Sequence, residues 1–307
     1  MKNTTSHTVL ITGYSGLIAK QISTYLAQKG FIVKGLTQNK KQLSESIFYW
    51  NVNEQLIDKR ALENVDYIIH LAGAGIADKR WTTKRKKEII DSRVNSSLFL
   101  AKSLKETNTK IKALIGTSAI GYYGAVTSDK IFTEADDSGI DFLGSCCLQW
   151  EKSYQAFNEL TDRMVILRLP TVLSKNGGAL QKIVPIVKLG LASPLGNGRQ
   201  YMPIVSMDDL VKLYEFVLKN THIEGTFNAN APCDITNKEL MMGLATSLHK
   251  PFFMPSVPAF ILKALYGELA CVLLKGSRVS SDKLTREGFI FSHTTLESIL
   301  KSVLSFN

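Results

Sequence analysis

The sequence predicts an α/β fold, with a doubly wound parallel sheet followed by a smaller, helix-rich C-terminal substrate lobe. Short apolar runs alternate with helix-like segments through the first 170 residues, which predicts a parallel sheet with helices on both faces. A glycine turn joins the first run to the first helix. Beyond Pro170, glycine-rich loops and mostly helical sequence follow. We therefore expect one domain over 1–170, a second over 171–307, and a segment near 204–230 that returns to the first.

The first strand, turn and helix predict a dinucleotide site. "TVLIT" (8–12) is a β-branched run, and "LIAKQISTYLAQKG" (17–30) has helical periodicity that ends in glycine. Between them, Gly13 permits a tight turn, and Gly16 lets the backbone approach a pyrophosphate at the positive end of the helix. Ala19 stands in place of the usual third glycine. The strand-turn-helix context predicts a Rossmann cofactor site at the turn residues Gly13, Tyr14, Ser15, Gly16, Leu17 and Ile18.

The end of the second strand, "FIVKGLT" (31–37), favours NADP over NAD. An NAD site normally has an acidic residue there, which accepts hydrogen bonds from the ribose hydroxyls. This chain instead continues with "QNKK" (38–41), which holds no carboxylate and includes Lys40. Amide and ammonium groups would hold a 2′-phosphate that a carboxylate would repel. The alternative is a lysine-tipped surface loop without a ligand.

The next strands end at further candidate residues. "VDYIIHLAG" (65–73) stops at Gly73, a long helix covers roughly 83–106, and "IKALIGTS" (111–118) ends at Ser118. A helix near 143–159 and the strand "RMVILRL" (163–169) follow. Because the carboxyl ends of parallel strands share one edge, these ends overhang the same crevice as the glycine turn.

With these motifs assembled, the chain resembles an atypical extended short-chain dehydrogenase/reductase, in the branch labelled "epimerase family protein" (NAD-dependent epimerase/dehydratase-like). The resemblance rests on "TGYSGLIA", "HLAGAGIADKRWT", "SAIGYYG", "LGNGRQ" and the tail "PSVPAFILKALYGELACVLLKGSRVSSDKL", in that order. It implies a Rossmann domain that binds NADP and a C-terminal helical substrate lobe.

The resemblance also implies roles for individual residues. Thr37 and Gln38 would surround the 2′-phosphate, although the branch usually has arginine where this chain has Gln38. Leu71 and Ala72, next to Gly73, would line the adenine–ribose side. Three further cofactor contacts are implied at Glu88, Arg93 and Val172, the last at the nicotinamide end.

The usual catalytic pair of short-chain reductases is missing. These enzymes use Tyr-x-x-x-Lys, in which the lysine lowers the pKa of the phenol. Only Tyr25 has a lysine four residues later, and it lies about 14 Å along the first helix from Gly16, away from the phosphates. The helix that should carry the pair reads "FLGSCCLQWEKSYQ" (142–155). The remaining catalytic candidates are Ser118, which could equally well cap the strand-end loop, and Tyr123 of the "GYYG" loop.

A basic cluster on the loop and helix around residues 80–93 has three interpretations. It could be a solvated helix face with one or two cofactor contacts, a substrate phosphate or carboxylate site at Arg80 and Trp81, or a nucleic-acid surface. Lys84, Glu88 and Asp91 share one stripe of the helix and could offset one another. Aromatic residues do not alternate with the basic ones, so we expect no nucleic-acid partner.

Composition limits the remaining classes. The chain has 307 residues, a net charge of +10 and 4 cysteines without CxxC spacing, so we expect a cytoplasmic protein with no metal site. The apolar segment 257–274 carries charges near its middle and predicts a buried or semi-buried helix, not a membrane span.

The leading hypothesis is an NADP-dependent oxidoreductase or epimerase-like enzyme that acts on a small polar substrate. The alternative is an NADP-binding protein with little or no catalysis. The oligomeric state is not predicted.

Overall fold

The structure, a computed structural model, describes residues 6–304. In chain order its strands are β1 (Thr8–Thr12), β2 (Ile32–Thr37), β3 (Ile47–Asn51), β4 (Leu56–Ile57), β5 (Tyr67–His70), β6 (Ala113–Ala119), β7 (Ile131–Phe132), β8 (Met164–Leu169), β9 (Thr171–Ser174), β10 (Gly177–Gly178), β11 (Ile204–Ser206), β12 (Gly225–Asn228) and β13 (Arg278–Val279). Its helices are α1 (Leu17–Gln28), α2 (Thr83–Glu106), α3 (Phe142–Ser153), α4 (Ala179–Lys188), α5 (Met207–Lys219), α6 (Asn237–Ser247), α7 (Ala259–Tyr266), α8 (Ala270–Leu274), α9 (Asp282–Arg286) and α10 (Leu296–Leu304).

The largest sheet has eight strands in the order β12-β8-β6-β5-β1-β2-β3-β4. Neighbours in this sheet are parallel, except that β4 runs antiparallel to β3. The chain builds outward from β1 through β2 and β3, and then crosses back to β5 on the other side of β1. This reversal opens a crevice at the carboxyl ends of β1 and β5. The doubly wound α/β fold predicted from the sequence is confirmed.

Alternation along β1 divides the core between the two faces of the sheet. Val9 and Ile11 pack into one apolar cluster with Ile22 of α1, whereas Leu10 packs into a second cluster with Leu100 of α2. This is the period of two that a strand buried on both faces requires. The helices on the two faces therefore hold the strand ends, and the crevice above them, in fixed positions.

The edge of the sheet contains two strands that the sequence analysis did not predict. β3 follows a serine-rich loop, and its residues Phe48 and Trp50 are buried while their neighbours are half-buried. The aromatic run "IFYW" is a typical strand signal. It is too short to be distinguished from a loop without its pairing to β2.

The C-terminal part of the chain contributes to three sheets. β9, β10 and β11 form a small sheet of their own, β12 pairs with β8 in the large one, and β13 pairs with β7. Residues 225–228 thus lie beside the first 170 in the same sheet. The domain boundary at 170/171 stays a prediction. Among residues 6–304, no helix is both long and apolar enough to cross a membrane.

The segment 257–274 differs from the one buried or semi-buried helix predicted for it. Gly267, at a φ of +61°, separates the short helices α7 and α8. Only Leu262 of α7 is buried, whereas Phe260 and Leu265 are exposed. The prediction was wrong for α7, which lies on the surface because the chain turns at Gly267, whereas α8 is half-buried as predicted.

Candidate functional site

The glycine turn after β1 packs directly on the backbone that follows β5. Gly13 has a φ of +64°, and a Cβ atom added there would lie 3.0 Å from the carbonyl carbon of Leu71. Gly16 precedes α1, no side chain caps that helix, and its first turn holds no acidic residue. The N–H groups and the positive dipole at the start of α1 therefore face the crevice without a protein anion.

Tyr14, although part of the turn, points away from the crevice. A Cβ atom added at Gly35 of β2 would lie only 2.4 Å from its ring, and its hydroxyl lies 3.1 Å from the Ser23 hydroxyl of α1. The ring thus fills the space above β2. Tyr14 can contribute its backbone to a ligand, while its side chain supports the turn.

A buried polar chain fixes the ends of β1 and β5. The Thr12 hydroxyl oxygen accepts hydrogen bonds from the N–H groups of Leu71 and Ala72 at 3.0 and 3.1 Å, and it lies 2.9 Å from Nδ1 of His70. On the other side of the ring, Nε2 lies 3.1 Å from the Ser96 hydroxyl, which donates to the carbonyl of Arg93. Since Thr12 and Ser96 have these partners, the pattern assigns a neutral imidazole that accepts at Nδ1 and donates at Nε2.

The pKa of His70 predicts a stability change between pH 7 and pH 5. Burial lowers this pKa from 6.5 to about 3. A depressed folded-state pKa stabilises the fold fully above the unfolded pKa, and this stability is lost as the pH falls toward 3. The imidazole alone should reduce the free energy of unfolding by about 2 kcal/mol between pH 7 and 5. Urea titrations at both pH values measure it. In His70→Gln the pH-dependent loss should be smaller by that amount, and an unchanged loss would contradict the assignment.

A cavity of about 520 Å³ lies between the ends of β1 and β2 and the first turns of α2. Its walls include six predicted cofactor residues, Gly13, Ser15, Thr37, Gln38, Gly73 and Glu88. Lys84 and Lys87 also face it. Lys40 is not on its walls, because its ammonium lies 5.1 Å from the centre of the Tyr49 ring. The structure thus brings six of the predicted residues together and places Lys40 outside.

The charges on α2 pair differently from the predicted stripe. Glu88 binds Arg85 at 2.7 Å, and Asp91 pairs with Lys87. Arg85 is buried and also donates to the carbonyl of Gly75, so its guanidinium lies within reach of Glu88. The hydrogen bond from Arg85 lowers the pKa of Glu88. Glu88 is thus paired directly with Arg85. Lys84 also helps to lower the pKa of Glu88 through its charge, as the predicted stripe requires, but it forms no direct ion pair within residues 6–304.

Arg93 extends from α2 under the loop after β5. Its Nη1 donates to the carbonyls of Ala74 and Ile89 at 3.0 and 2.9 Å, and its guanidinium lies 4.9 Å from the centre of the Trp150 ring. Burial lowers its pKa. No carboxylate of the described chain pairs with it. Arg93 thus holds the backbone next to Gly73 in place.

The remaining predicted contacts lie beyond the turn. Val172 is half-buried on β9, opposite Val205 of β11. A Cβ atom on Gly177 would lie 3.1 Å from the Leu17 side chain, so β10 packs on the start of α1. Ile18 is half-buried on the same helix. Val172 and Leu17 therefore lie on adjoining elements, at the end of the crevice away from Gln38.

Ser118 belongs to a buried network that sequence reasoning did not foresee. Its hydroxyl donates to Glu151 of α3 at 2.6 Å, and Arg168 of β8 binds both carboxylate oxygens of Glu151 at 2.8 and 2.9 Å. Arg168 also donates to the Tyr123 hydroxyl at 2.9 Å. Ser118 and Glu151 are 33 positions apart along the chain, and Glu151 and Arg168 are 17 apart, so no local sequence pattern shows these contacts.

Tyr123 has no open path to a substrate. Its side chain is buried, and its hydroxyl accepts from Arg168 and donates to Asn228 at 2.7 Å. Burial raises its pKa to about 12. A phenol with both hydrogen-bonding positions occupied cannot readily exchange a proton with a ligand. We therefore give Tyr123 a structural role, in contrast to the catalytic role predicted from the sequence.

One face of α3 carries Leu143, Cys147 and Glu151 at four-residue spacing. Cys147 and Glu151, or Cys146 and Trp150 in the alternative register, occupy the places of the missing tyrosine and lysine. Burial raises the pKa of the Cys147 thiol to about 12, so it stays protonated. Neither Glu151 nor Trp150 supplies the positive charge that a short-chain reductase has at the second position. The usual proton relay is therefore absent from this helix.

A second cavity, of about 960 Å³, lies between the start of α3 and the α7–α8 segment. Trp81 lines it, with its indole N–H donating to the carbonyl of Ile76 at 2.9 Å. Arg80 does not line it, because its Nη2 donates to the carbonyl of Ala264 on α7 at 3.0 Å. Arg80 thus attaches the loop before α2 to α7, in contrast to the predicted substrate contact.

Two family models match the chain in succession. The NAD dependent epimerase/dehydratase family matches residues 9–229. The chain belongs to the NAD dependent epimerase/dehydratase family. A domain of unknown function, DUF1731, matches residues 257–303. The resemblance inferred from the sequence motifs is thus confirmed.

The similarity between this epimerase/dehydratase chain and its relatives covers nearly the whole chain. An epimerase family protein of Mycobacterium bovis is 33% identical over 295 residues, which are 95% of this chain and 96% of that protein. Human epimerase family protein SDR39U1, solved with NADPH, has a TM-score of 0.86 and 26% identity, and the match covers 96% of this chain and 98% of that one. The Thermus thermophilus UDP-glucose 4-epimerase in complex with NAD has a TM-score of 0.72 at 17% identity, with 98% and 100% covered, and shows the shared fold.

Proposed function

We propose that this chain is an NADP(H)-dependent oxidoreductase or epimerase-like enzyme that acts on a small molecule. The observation that carries the proposal is the glycine turn, where Gly13 packs on the backbone of Leu71 and α1 begins without a capping side chain. These features fit a diphosphate, because only a residue without a Cβ atom fits the turn and the N–H groups of α1 face the crevice. The NADPH found with human SDR39U1 supports the same cofactor class.

The residues that would hold the cofactor follow from the cavity walls. Ser15 and Gly16 would bind the diphosphate, and Thr37 and Gln38 would bind the 2′-phosphate. Glu88 would form the opposite wall of the adenine–ribose side. Arg93 would hold the loop beneath the cofactor, and Val172 would lie near the nicotinamide. When bound, NADP(H) supplies or accepts a hydride. Ser118 would orient the substrate, with its hydroxyl held by Glu151.

Preference for NADP(H) rests on the charges around the 520 Å³ cavity. No carboxylate follows β2, and Lys84 faces the cavity without an ion-pair partner in the described chain. Glu88 and Asp91, on the same cavity, are each engaged by a basic neighbour. A 2′-phosphate would therefore meet a net positive surface. Because the Thermus epimerase was solved with NAD, comparing the affinities of this chain for NADPH and NADH tests the preference.

Gln38→Arg should strengthen NADPH binding by about tenfold and leave NADH binding unchanged, because a guanidinium binds phosphate with two charge-assisted hydrogen bonds. Calorimetric titration of both cofactors measures the two dissociation constants. Lys40→Gln is the control, since Lys40 lies against the Tyr49 ring outside the cavity. Equal gains for NADH and NADPH in Gln38→Arg would place the 2′-phosphate elsewhere.

A second candidate function is NADP(H) binding with little or no turnover. It is favoured by Cys147 and Glu151, which replace the tyrosine and lysine of the usual relay, and by the hydrogen bond that commits the Ser118 hydroxyl to Glu151. The two candidates differ in turnover alone. Incubation of the holoprotein with a panel of carbonyl substrates, followed by NADPH absorbance, separates them. Consumption of NADPH supports the enzyme, and tight binding without consumption with any substrate supports the second candidate.

A further inference from the structure

The 960 Å³ cavity between α3 and the α7–α8 segment has walls that are mostly apolar. Trp81 and Phe142 form an edge-to-face pair, with ring centres 4.8 Å apart, and Leu143, Cys271 and Leu274 complete this surface. The only polar atom of the Trp81 side chain already donates to Ile76. The aromatic pair therefore offers a ligand apolar surface and no hydrogen bond from the indole.

The charged residues of the cavity are of two kinds. Its two carboxylates are engaged, since Glu268 pairs with Lys86, and Asp141 accepts from the N–H groups of Ala125 and Gly144 at 2.7 and 2.9 Å.

The two lysines, Lys263 and Lys275, have no ion-pair partner within residues 6–304, although both line the cavity. Because Lys86 offsets Glu268, the two lysines face the single negative charge of Asp141, and the net charge on the cavity is positive.

Uncharged polar side chains are scarce on the cavity walls. Asn197 is the one amide among them, and its side-chain oxygen already accepts from the N–H of Arg199 at 3.0 Å. A nucleotide sugar carries a base, a ribose and a hexose whose many hydroxyl and carbonyl groups each need a partner when buried. The side chains on these walls provide few such partners.

We propose that this cavity binds an amphipathic anion, with an apolar body against Trp81, Phe142 and Leu274 and one carboxylate or phosphate group at Lys263 and Lys275. The inference rests on the proposed function, because it names the substrate class of the same crevice. Leu143 lies on the cavity wall, and a Cβ atom added at Gly121, three residues after Ser118, would lie 3.6 Å from the Leu143 side chain. The cavity thus adjoins the loop that follows the Ser118 strand end. The substrate is then largely apolar, with a single charged group, unlike the polar molecule expected from the sequence.

Calorimetric titration of the NADPH-loaded protein with a matched set of ligands tests the proposal. Octanoate, octyl phosphate and octan-1-ol share one apolar chain, and UDP-glucose represents the nucleotide sugars. Octanoate or octyl phosphate should bind at least about tenfold more tightly than octan-1-ol. The stronger of the two identifies the anionic group. UDP-glucose should bind more weakly than either anion. Equal binding of octan-1-ol and both anions, or tightest binding by UDP-glucose, would overturn the proposal.

Two variants locate the binding. The double variant Lys263→Gln/Lys275→Gln should weaken anion binding by about tenfold and leave octan-1-ol unchanged. Lys110→Gln/Lys250→Gln removes the same charge from exposed positions elsewhere and should change neither. Cys271→Phe, which fills part of the cavity, should weaken both anion and alcohol. An unchanged affinity in the first and third variants would show binding at another surface and refute the cavity assignment.

NADPH binding tests the proposed function, and anion binding tests the amphipathic substrate. NADPH binding is measured first, in the absence of the other ligands. Protein that binds NADPH but none of the anions contradicts the amphipathic substrate and leaves the cofactor site intact. Protein that does not bind NADPH contradicts the proposed function itself.

Discussion

Replacing Gly13 with aspartate is expected to raise the dissociation constant of NADPH by about a hundredfold or more. A carboxylate about 4 Å from a phosphate is repelled by about 4 kcal/mol at an effective dielectric constant near 20. The added Cβ atom would also lie 3.0 Å from the Leu71 carbonyl, at a φ of +64° that disfavours side chains. Fluorescence titration with NADPH measures the change.

Gly30→Asp is the matched control for this variant. Gly30 also has a positive φ, of +87°, but it follows the far end of α1, and a Cβ atom there meets nothing within 4 Å. It therefore introduces the same charge at a similar backbone conformation, away from the crevice. We expect wild-type affinity in Gly30→Asp. An affinity in folded Gly13→Asp that matches the wild type would contradict the placement of the diphosphate.

Arg168→Met should lower the free energy of unfolding by about 3–5 kcal/mol, because it leaves the Glu151 carboxylate buried without its cation. Arg168 is 3% exposed and binds both Glu151 oxygens, so water cannot readily replace the guanidinium. Although burial alone would lower the pKa of Arg168, its hydrogen bonds with Glu151 raise it above the ordinary value, so the residue is charged in the wild type. Urea unfolding at neutral pH measures the free energy.

The double variant Arg168→Met/Glu151→Leu provides the matched comparison. Removing both charges leaves an apolar pair of similar volume, so the double variant should be more stable than Arg168→Met alone. The Ser118 and Tyr123 hydroxyls then each lose one hydrogen-bond partner, so the double variant should still be less stable than the wild type. Additive losses in the two single variants and the double variant would show that the ion pair does not couple these residues.

The predictable parts of the fold were those encoded by local patterns. Gly13 and Gly16, between a β-branched run and an amphipathic helix, were sufficient to predict the turn and its position in a parallel sheet. Tertiary contacts decided the rest. The burial of Arg85 depends on the loop at Gly75, and this contact makes Arg85 the direct ion-pair partner of Glu88.

The catalytic region shows the same limit. The spacing of the sequence shows that the helix over 142–155 lacks the tyrosine and lysine, but not whether Cys147 and Glu151 or Cys146 and Trp150 stand in their places. The partner of Glu151, Arg168, lies on a different element, and its contact with Tyr123 depends on how β8 packs against the turn after β6. His70 could have been noticed as a polar residue at a buried strand end. Its two hydrogen bonds, to Thr12 and Ser96, require the three-dimensional arrangement.

The most direct test of the central claim is X-ray diffraction from crystals grown with NADPH. We expect density for the diphosphate at the Gly13–Leu17 turn, with the adenine side in the cavity lined by Gln38 and Glu88. Density for NADPH at another surface, or an NADPH-free turn at saturating NADPH, would contradict it.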